Sequence, residues 1–184
     1  MATKLDQLQA LAYVCRDFGG QLAIVSLHEF ARLFDNDDSE ETPWDKEDLS
    51  ASPFTSCHGL WWRRKIVYAV EGREEVGSII HEMGHVFASP HHPHHDCPEC
   101  TEWNWFGWEI AVARQVDAWW TWSRQNSDYF VGDIEDGSVD GVYRHPRKWG
   151  QLSNAKRKTV VAERLAHART TGILDASGVP RSVR

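Results

Sequence analysis

Apolar residues spaced three and four positions apart predict two helices near the start of the chain. The second helix begins where Ser26 and Glu29 fit a capping box, and a glycine pair at residues 19–20 would end the first. The buried positions of the first helix would be Leu5, Leu8, Ala12 and Cys15. Those of the second would be Phe30, Leu33 and Phe34.

The middle of the chain changes from a strand pattern to a helix pattern. Residues 59–70, GLWWRRKIVYAV, are rich in aromatic and β-branched side chains and predict a strand or a hairpin arm. A helix is predicted from near Glu74, and it must end before Pro90 because proline disfavours helical geometry in the residue before it. Its buried positions would be Val76, Ile79, Ile80, Met83 and Phe87.

Two further helices are predicted in the second half of the chain. From about Asn104 to Ser123, one long amphipathic helix would bury Trp105, Trp108, Val112, Val116, Trp119 and Trp120. A terminal helix over residues 153–169 would bury Val160, Val161, Leu165 and Ala168. Between them, residues 124–152 indicate loops with only short strands.

Two segments between these elements lack a regular pattern. Eight of the fourteen residues from 35 to 48 are acidic, which predicts a loop. Residues 89–100, SPHHPHHDCPEC, predict a second loop whose side chains suit metal ions. Cys97 and Cys100 are half of a zinc site, which Cys57 or a neighbouring histidine would complete as a second, structural zinc. The alternative is an exposed loop with reduced cysteines.

Length and composition favour one domain that spans residues 1–184, and the expected location is the cytoplasm. A chain of 184 residues with 41% apolar residues can bury one sizeable core. It has no apolar run long enough to cross a membrane, and its start lacks the pattern of a secretory signal. Its four cysteines are too few for a disulfide-built fold, so reduced thiols or a metal site are expected.

Charge is distributed unevenly along the chain. Of the 27 acidic residues, 25 precede residue 144, whereas half of the 20 basic residues follow residue 143. The basic C-terminal helix and tail at residues 153–184 carry no motif that reads or stacks on bases. A solvated surface is therefore favoured there over a nucleic-acid contact.

The clearest chemical signal is the motif HEMGH, formed by His81, Glu82 and His85 with two spacer residues inside a predicted helix. Two histidines four positions apart project from one helix face and can share a tetrahedral zinc ion. Glu82 lies about 100° around the helix, where it can act as general base for a zinc-bound water rather than as a ligand. The alternative is two histidines satisfied by ordinary hydrogen bonds.

A catalytic zinc needs a third protein ligand and one open position. Glu109 is the favoured third ligand, because it lies beside the tryptophan stripe of the next helix. A carboxylate there would otherwise be a costly, partly buried charge. The alternative is a boundary glutamate paired with water or with Arg114.

Two other residues are candidates for the third ligand. His81, His85 and His91 match the longer metzincin spacing HExxHxxGxxH, which makes His91 the rival. Ala88 replaces its turn glycine, and no methionine follows residue 83 to form the methionine turn of that class. Glu102 ranks third, because it lies outside the apolar stripe.

Over roughly residues 59–123, the predicted elements are a strand, an HExxH helix and a second helix that bears a glutamate. In this order of elements the chain resembles the gluzincin-like ImmA/IrrE family of intracellular metallopeptidases. The resemblance implies zinc bound by His81, His85 and Glu109, with Glu82 catalytic.

The fold class expected from these elements is α+β. It would be a small zincin-like domain in which a short twisted sheet packs on the active-site helix, with a second ligand-bearing helix behind it. The expected function is zinc-dependent hydrolysis of a protein or peptide. The competing hypothesis is a non-enzymatic, zinc-stabilised regulatory or interaction protein of phage or bacterial type.

Overall fold

The computed structural model describes residues 2–35, 55–56, 65–88, 102–125 and 149–181. These ranges contain six α-helices and three strands, so the α+β class is confirmed. In chain order the elements are α1 Lys4–Asp17, β1 Gln21–Val25, α2 Leu27–Asp35, β2 Thr55–Ser56, β3 Ile66–Val70, α3 Val76–Met83, α4 Glu102–Gln115, α5 Trp119–Gln125 and α6 Asn154–Thr170. None of the helices in these ranges is long and apolar enough to cross a membrane.

The sheet is small, with β3 at its centre. β1 pairs with β3 in parallel, from Gln21 opposite Ile66 to Val25 opposite Val70. The two-residue β2 lies antiparallel along the other side of β3. The strand predicted within residues 59–70 is confirmed at its C-terminal end, and residues 59–64 lie outside the described ranges. The sequence pattern does not predict β1, an edge strand whose exposure does not alternate along its length.

The first helix buries a face that overlaps the predicted one only in part. Its buried apolar side chains are Leu8, Leu11, Val14 and Cys15. Leu5, which is 73% exposed, and Ala12 point to solvent, so the prediction was wrong at those two positions. Leu8 and Cys15 belong to both possible faces, and only packing against the rest of the core selects Leu11 and Val14.

The second helix begins as the capping pattern predicts. The backbone N–H of Glu29 donates to the Ser26 hydroxyl at 3.2 Å. Phe30 is fully buried in a small cluster with Val70, which attaches α2 to the sheet. The side chains of Leu33 and Phe34 lie outside the described part of the chain, as do nearly all of the acidic segment 35–48 and the whole of the segment 89–100.

The central helix α3 is anchored by its apolar side. Val76, Ile79, Ile80 and Met83 are all buried, as the pattern predicts. After Met83 the chain continues as one π-helical turn, Gly84–Ala88. Both β2 and β3 contact α3, so the sheet packs on this helix.

The predicted long helix over residues 104–123 is broken in two. Asp117 adopts a left-handed conformation with φ of 53° between α4 and α5. The N–H of Ala118 then donates back to the carbonyl of Ala113 at 2.7 Å. Residues near the N-terminus hold the break: the amide of Ala2 donates to the Asp117 carboxylate at 2.7 Å, and the Gln7 side chain donates to the Asp117 carbonyl at 2.8 Å.

The break changes which tryptophans are buried. Because the helix restarts with a new phase, Trp122 is fully buried and Trp120 is 61% exposed. The predicted buried stripe was therefore wrong at Trp120. Periodicity alone could not show this, since it assumes one continuous helix.

The terminal helix α6 packs closely on α4. It begins at the N-cap Ser153 and buries Val160, Val161 and Ala168, as predicted, while Leu165 is partly buried. Arg164 is also buried, with its guanidinium 5.4 Å from the centre of the Phe106 ring. A Cβ atom at Gly107 would collide with the Arg164 carbonyl and the Ala168 side chain, so glycine allows this close approach.

The left-handed conformation of Asp117 gives a test of the helix break. We expect Asp117→Ala to be less stable than Asp117→Gly by about 1 kcal/mol, because both lose the carboxylate and only alanine is strained at positive φ. Urea unfolding of the two variants measures the difference. Equal stability of the two variants would contradict the observed break.

Candidate metal site

The motif residues occupy the partly exposed side of an otherwise buried helix. Ile79, Ile80 and Met83 are inaccessible to solvent. His81 and Glu82 are only partly buried, as is His85 in the π-helical turn. The apolar side thus fixes the helix in the core, while the polar side remains within reach of a small ligand. π-Helical turns inside α-helices occur frequently at functional sites.

The structure brings the two motif histidines together. Nε2 of His81 lies 3.2 Å from Nε2 of His85, the ring centres are 4.8 Å apart, and the rings are nearly perpendicular at 86°. Two ligands at zinc-binding distance in a tetrahedral site lie about 3.3 Å apart. The separation of the two nitrogens therefore fits a pair of zinc ligands.

Glu109 lies next to this pair from the neighbouring helix α4. Its side chain is completely buried, and its Oε1 is 3.3 Å from Nδ1 of His81. Its Oε2 accepts a hydrogen bond of 2.7 Å from the indole N–H of Trp122. Arg114, the alternative partner, instead lies over the ring of Trp119 at 5.3 Å.

The carboxylate approaches His81 at the nitrogen opposite the one that faces His85. Among the described residues, no group of three or more His, Cys, Asp or Glu side chains is arranged around one point as a metal would require. The histidine pair thus has the spacing of two zinc ligands, and Glu109 adjoins the pair on the Nδ1 side of His81.

Gly84 allows α4 to approach the motif this closely. A Cβ atom at residue 84 would lie 2.5 Å from Cδ1 of Trp105 and 3.0 Å from Oε1 of Glu109. Both distances are shorter than ordinary contacts of a Cβ atom. Glycine at this spacer position of the motif therefore makes room for the carboxylate beside His81.

Two tryptophans complete the surroundings of the histidines and the carboxylate. The ring of Trp105 packs against His85, with centres 4.9 Å apart. Trp122 approaches from α5. The last residue of α5, Gln125, is hydrogen-bonded to the start of α3, because its side chain accepts from the amide of Gly77 at 2.6 Å. This bond satisfies one of the N–H groups left unpaired at a helix start.

Neither Gly84 nor these tryptophans were predicted as site residues from the sequence. Trp105 precedes Glu109 by four positions, a spacing that places both on one helix face and could have indicated it. Trp122 had no such signal, because its position depends on the break at Asp117. Nothing in the sequence around Gly84 indicates which helix approaches it.

The other predicted metal-site residues lie outside the described part of the chain. They are His91, Cys57, Cys97, Cys100 and the side chain of Glu102, so the structural zinc stays a prediction. The remaining cysteine, Cys15, is buried in the core, and burial raises the pKa of its thiol to about 12. A thiol buried in this way is unreactive as a nucleophile at neutral pH.

No protein-family model, no curated protein and no solved structure matches this chain. The resemblance to the ImmA/IrrE family therefore stays a prediction. Any functional conclusion has to rest on the arrangement of His81, His85, Glu109 and their neighbours.

The contacts of Gly84 lead to a stability test. We expect Gly84→Ala to lower the free energy of unfolding by about 1–3 kcal/mol, because the added methyl group would push α4 away. The expected loss of stability is opposite in sign to the usual gain when alanine replaces glycine inside a helix. Urea unfolding measures it, with Gly150→Ala as control, since residue 150 is exposed and a Cβ there meets nothing within 4 Å. A stabilised Gly84→Ala protein would show that the helices do not approach as described.

Proposed function

We propose that this chain is a zinc-dependent hydrolase that cleaves peptide bonds of a protein or peptide. His81 and His85 would hold the metal ion, and Glu82 would be the general base. Glu109, which lies on the Nδ1 side of His81, would become the third ligand once its carboxylate and the His81 ring rearrange around the bound ion. The observation that carries the proposal is the 3.2 Å separation of the two histidine Nε2 atoms, with a buried carboxylate against one of the rings.

The buried carboxylate favours a metal ion over a simple hydrogen bond between the histidines. A hydrogen shared between two neutral imidazoles would satisfy both Nε2 atoms, but it would add no charge to the site. An ionised carboxylate removed from water is costly unless positive charge lies near it. A divalent cation held by the histidine pair would supply that charge beside Glu109.

The arrangement of the helices and the sheet supports a zincin-like domain. β3, α3 and α4 follow one another in the order strand, motif helix and glutamate-bearing helix. The sheet packs on the motif helix, and α4 brings Glu109 to it. This is the order on which the resemblance to the ImmA/IrrE family rests.

The proposed reaction assigns a proton transfer to Glu82. Zinc in this site would polarise a substrate carbonyl and lower the pKa of a bound water to about 7. Glu82, partly exposed beside the histidines, would accept a proton from the attacking water. As the carbon–oxygen bond forms and the carbon–nitrogen bond breaks, the same carboxyl group would return the proton to the leaving amine.

Replacing Glu82 separates catalysis from metal binding. We expect Glu82→Gln to keep one zinc ion and to lose activity by about 10²–10⁴-fold, because the amide cannot accept the proton. Zinc content is measured by elemental analysis, and activity by mass spectrometry of a peptide library incubated with the protein. Glu163→Gln, on an exposed part of α6, is the matched control and should behave as wild type.

Two further variants complete this test. His81→Ala and His85→Ala should each lose the zinc ion. If wild type and Glu82→Gln bind zinc equally and behave identically in every cleavage assay, the hydrolase proposal is wrong, and a non-enzymatic zinc protein is the better interpretation.

The third ligand is tested by comparing three variants. We expect Glu109→Gln to weaken zinc binding by more than about 100-fold, which exceeds the loss that follows removal of an outer partner. His91→Ala and Glu102→Gln should bind zinc as wild type does. Competition with a coloured chelator measures each affinity. Loss of zinc only in His91→Ala would assign the third ligand to His91 instead.

A further inference from the structure

We infer that Trp122 is a positioning residue for the proposed metal site. It holds the Glu109 carboxylate by one oxygen and so presents the other oxygen to His81. This inference rests on the proposed function, since it concerns how the third ligand is oriented.

The hydrogen bond between Trp122 and Glu109 is short and is shielded from solvent. The indole nitrogen lies 2.7 Å from Oε2 of Glu109, and both side chains are completely buried. Hydrogen bonds to an ionised acceptor are about twice as strong as neutral ones, and a low-dielectric interior strengthens them further. An indole has a single donor, so the bond fixes which carboxylate oxygen is directed away from His81.

The Trp122 ring is itself held in place by its neighbours. It stacks on Trp119 with ring centres 5.6 Å apart and an angle of 27°. The Arg114 guanidinium lies over the Trp119 ring, 5.3 Å from its centre. At the end of α5, Gln125 accepts from the amide of Gly77 at the start of the motif helix. The donor is therefore fixed relative to both α4 and α3.

The other buried tryptophans of the described ranges differ in what their N–H groups contact. Trp108 donates to the backbone carbonyl of Arg181 at 2.9 Å, a bond that connects the segment after α6 to the core. Trp105 makes no hydrogen bond through its indole nitrogen to any described residue. Of these three buried tryptophans, only Trp122 bonds an ionisable group of the proposed site. Trp108 is thus a matched control, because it has the same size, burial and number of hydrogen bonds.

Trp122→Phe tests the inference by removing the donor while keeping an aromatic ring. We expect its zinc affinity to fall by about 10–100-fold, the loss typical of an outer partner of a metal ligand. Trp108→Phe should lose comparable stability and keep the wild-type affinity. Affinities are measured by chelator competition with the full chain, and stabilities by urea unfolding of the same preparations.

A second measurement uses the wild-type protein and does not depend on the folding of a variant. The indole N–H signals of Trp122 and Trp108 can be followed by nuclear magnetic resonance, each assigned by its absence in the corresponding phenylalanine variant or by selective labelling. Addition of zinc should shift the Trp122 signal, because its acceptor changes partner. The Trp108 signal should remain in place.

The outcomes separate this inference from the proposed function. A wild-type protein that binds zinc tightly, with equal affinity in Trp122→Phe and Trp108→Phe, would overturn the role of Trp122 and leave the hydrolase proposal intact. An unchanged Trp122 signal on zinc addition would overturn it as well. A wild-type protein that binds no zinc would overturn both.

Discussion

The buried carboxylate of Glu109 is the constraint on which the arrangement of the central helices depends. An ionised group completely removed from water costs several kcal/mol unless its surroundings compensate. Two elements contact this group: His81 on α3 lies against one oxygen, and Trp122 on α5 donates to the other. Gly84 leaves the space in which the first contact is made. Moving α3 or α5 would take a polar neighbour away from a completely buried carboxyl group.

Much of the candidate site could be predicted from the sequence because its signals are local. The spacing of His81 and His85 alone places two imidazoles on one helix face, and the structure places their nitrogens 3.2 Å apart. A glutamate beside an apolar helical stripe predicts a buried carboxylate in need of a partner, and Glu109 is fully buried. Helix α2 begins directly after its predicted cap Ser26, and α3 and α6 begin within two residues of their predicted starts.

The remaining features depend on contacts between residues distant in the chain. The break at Asp117 is fixed by Ala2 and Gln7, more than 100 positions away, so helical periodicity could not show it. The exposed Trp120 and the buried Trp122 follow from that break. Arg164 belongs to a basic segment that predicts a solvated surface, yet close packing at Gly107 buries it.

The interruption between α4 and α5 has a geometric consequence for the site. Glu109 and Trp122 are thirteen positions apart, and in one uninterrupted helix they would be separated by about 20 Å along its axis. The turn at Asp117 folds the segment back on itself, so a single stretch of chain supplies both the carboxylate and its hydrogen-bond donor. The side chain of Gln7 in α1 donates to the carbonyl of Asp117 in this turn. Helix α1 therefore helps to orient Trp122, although the two are far apart in sequence.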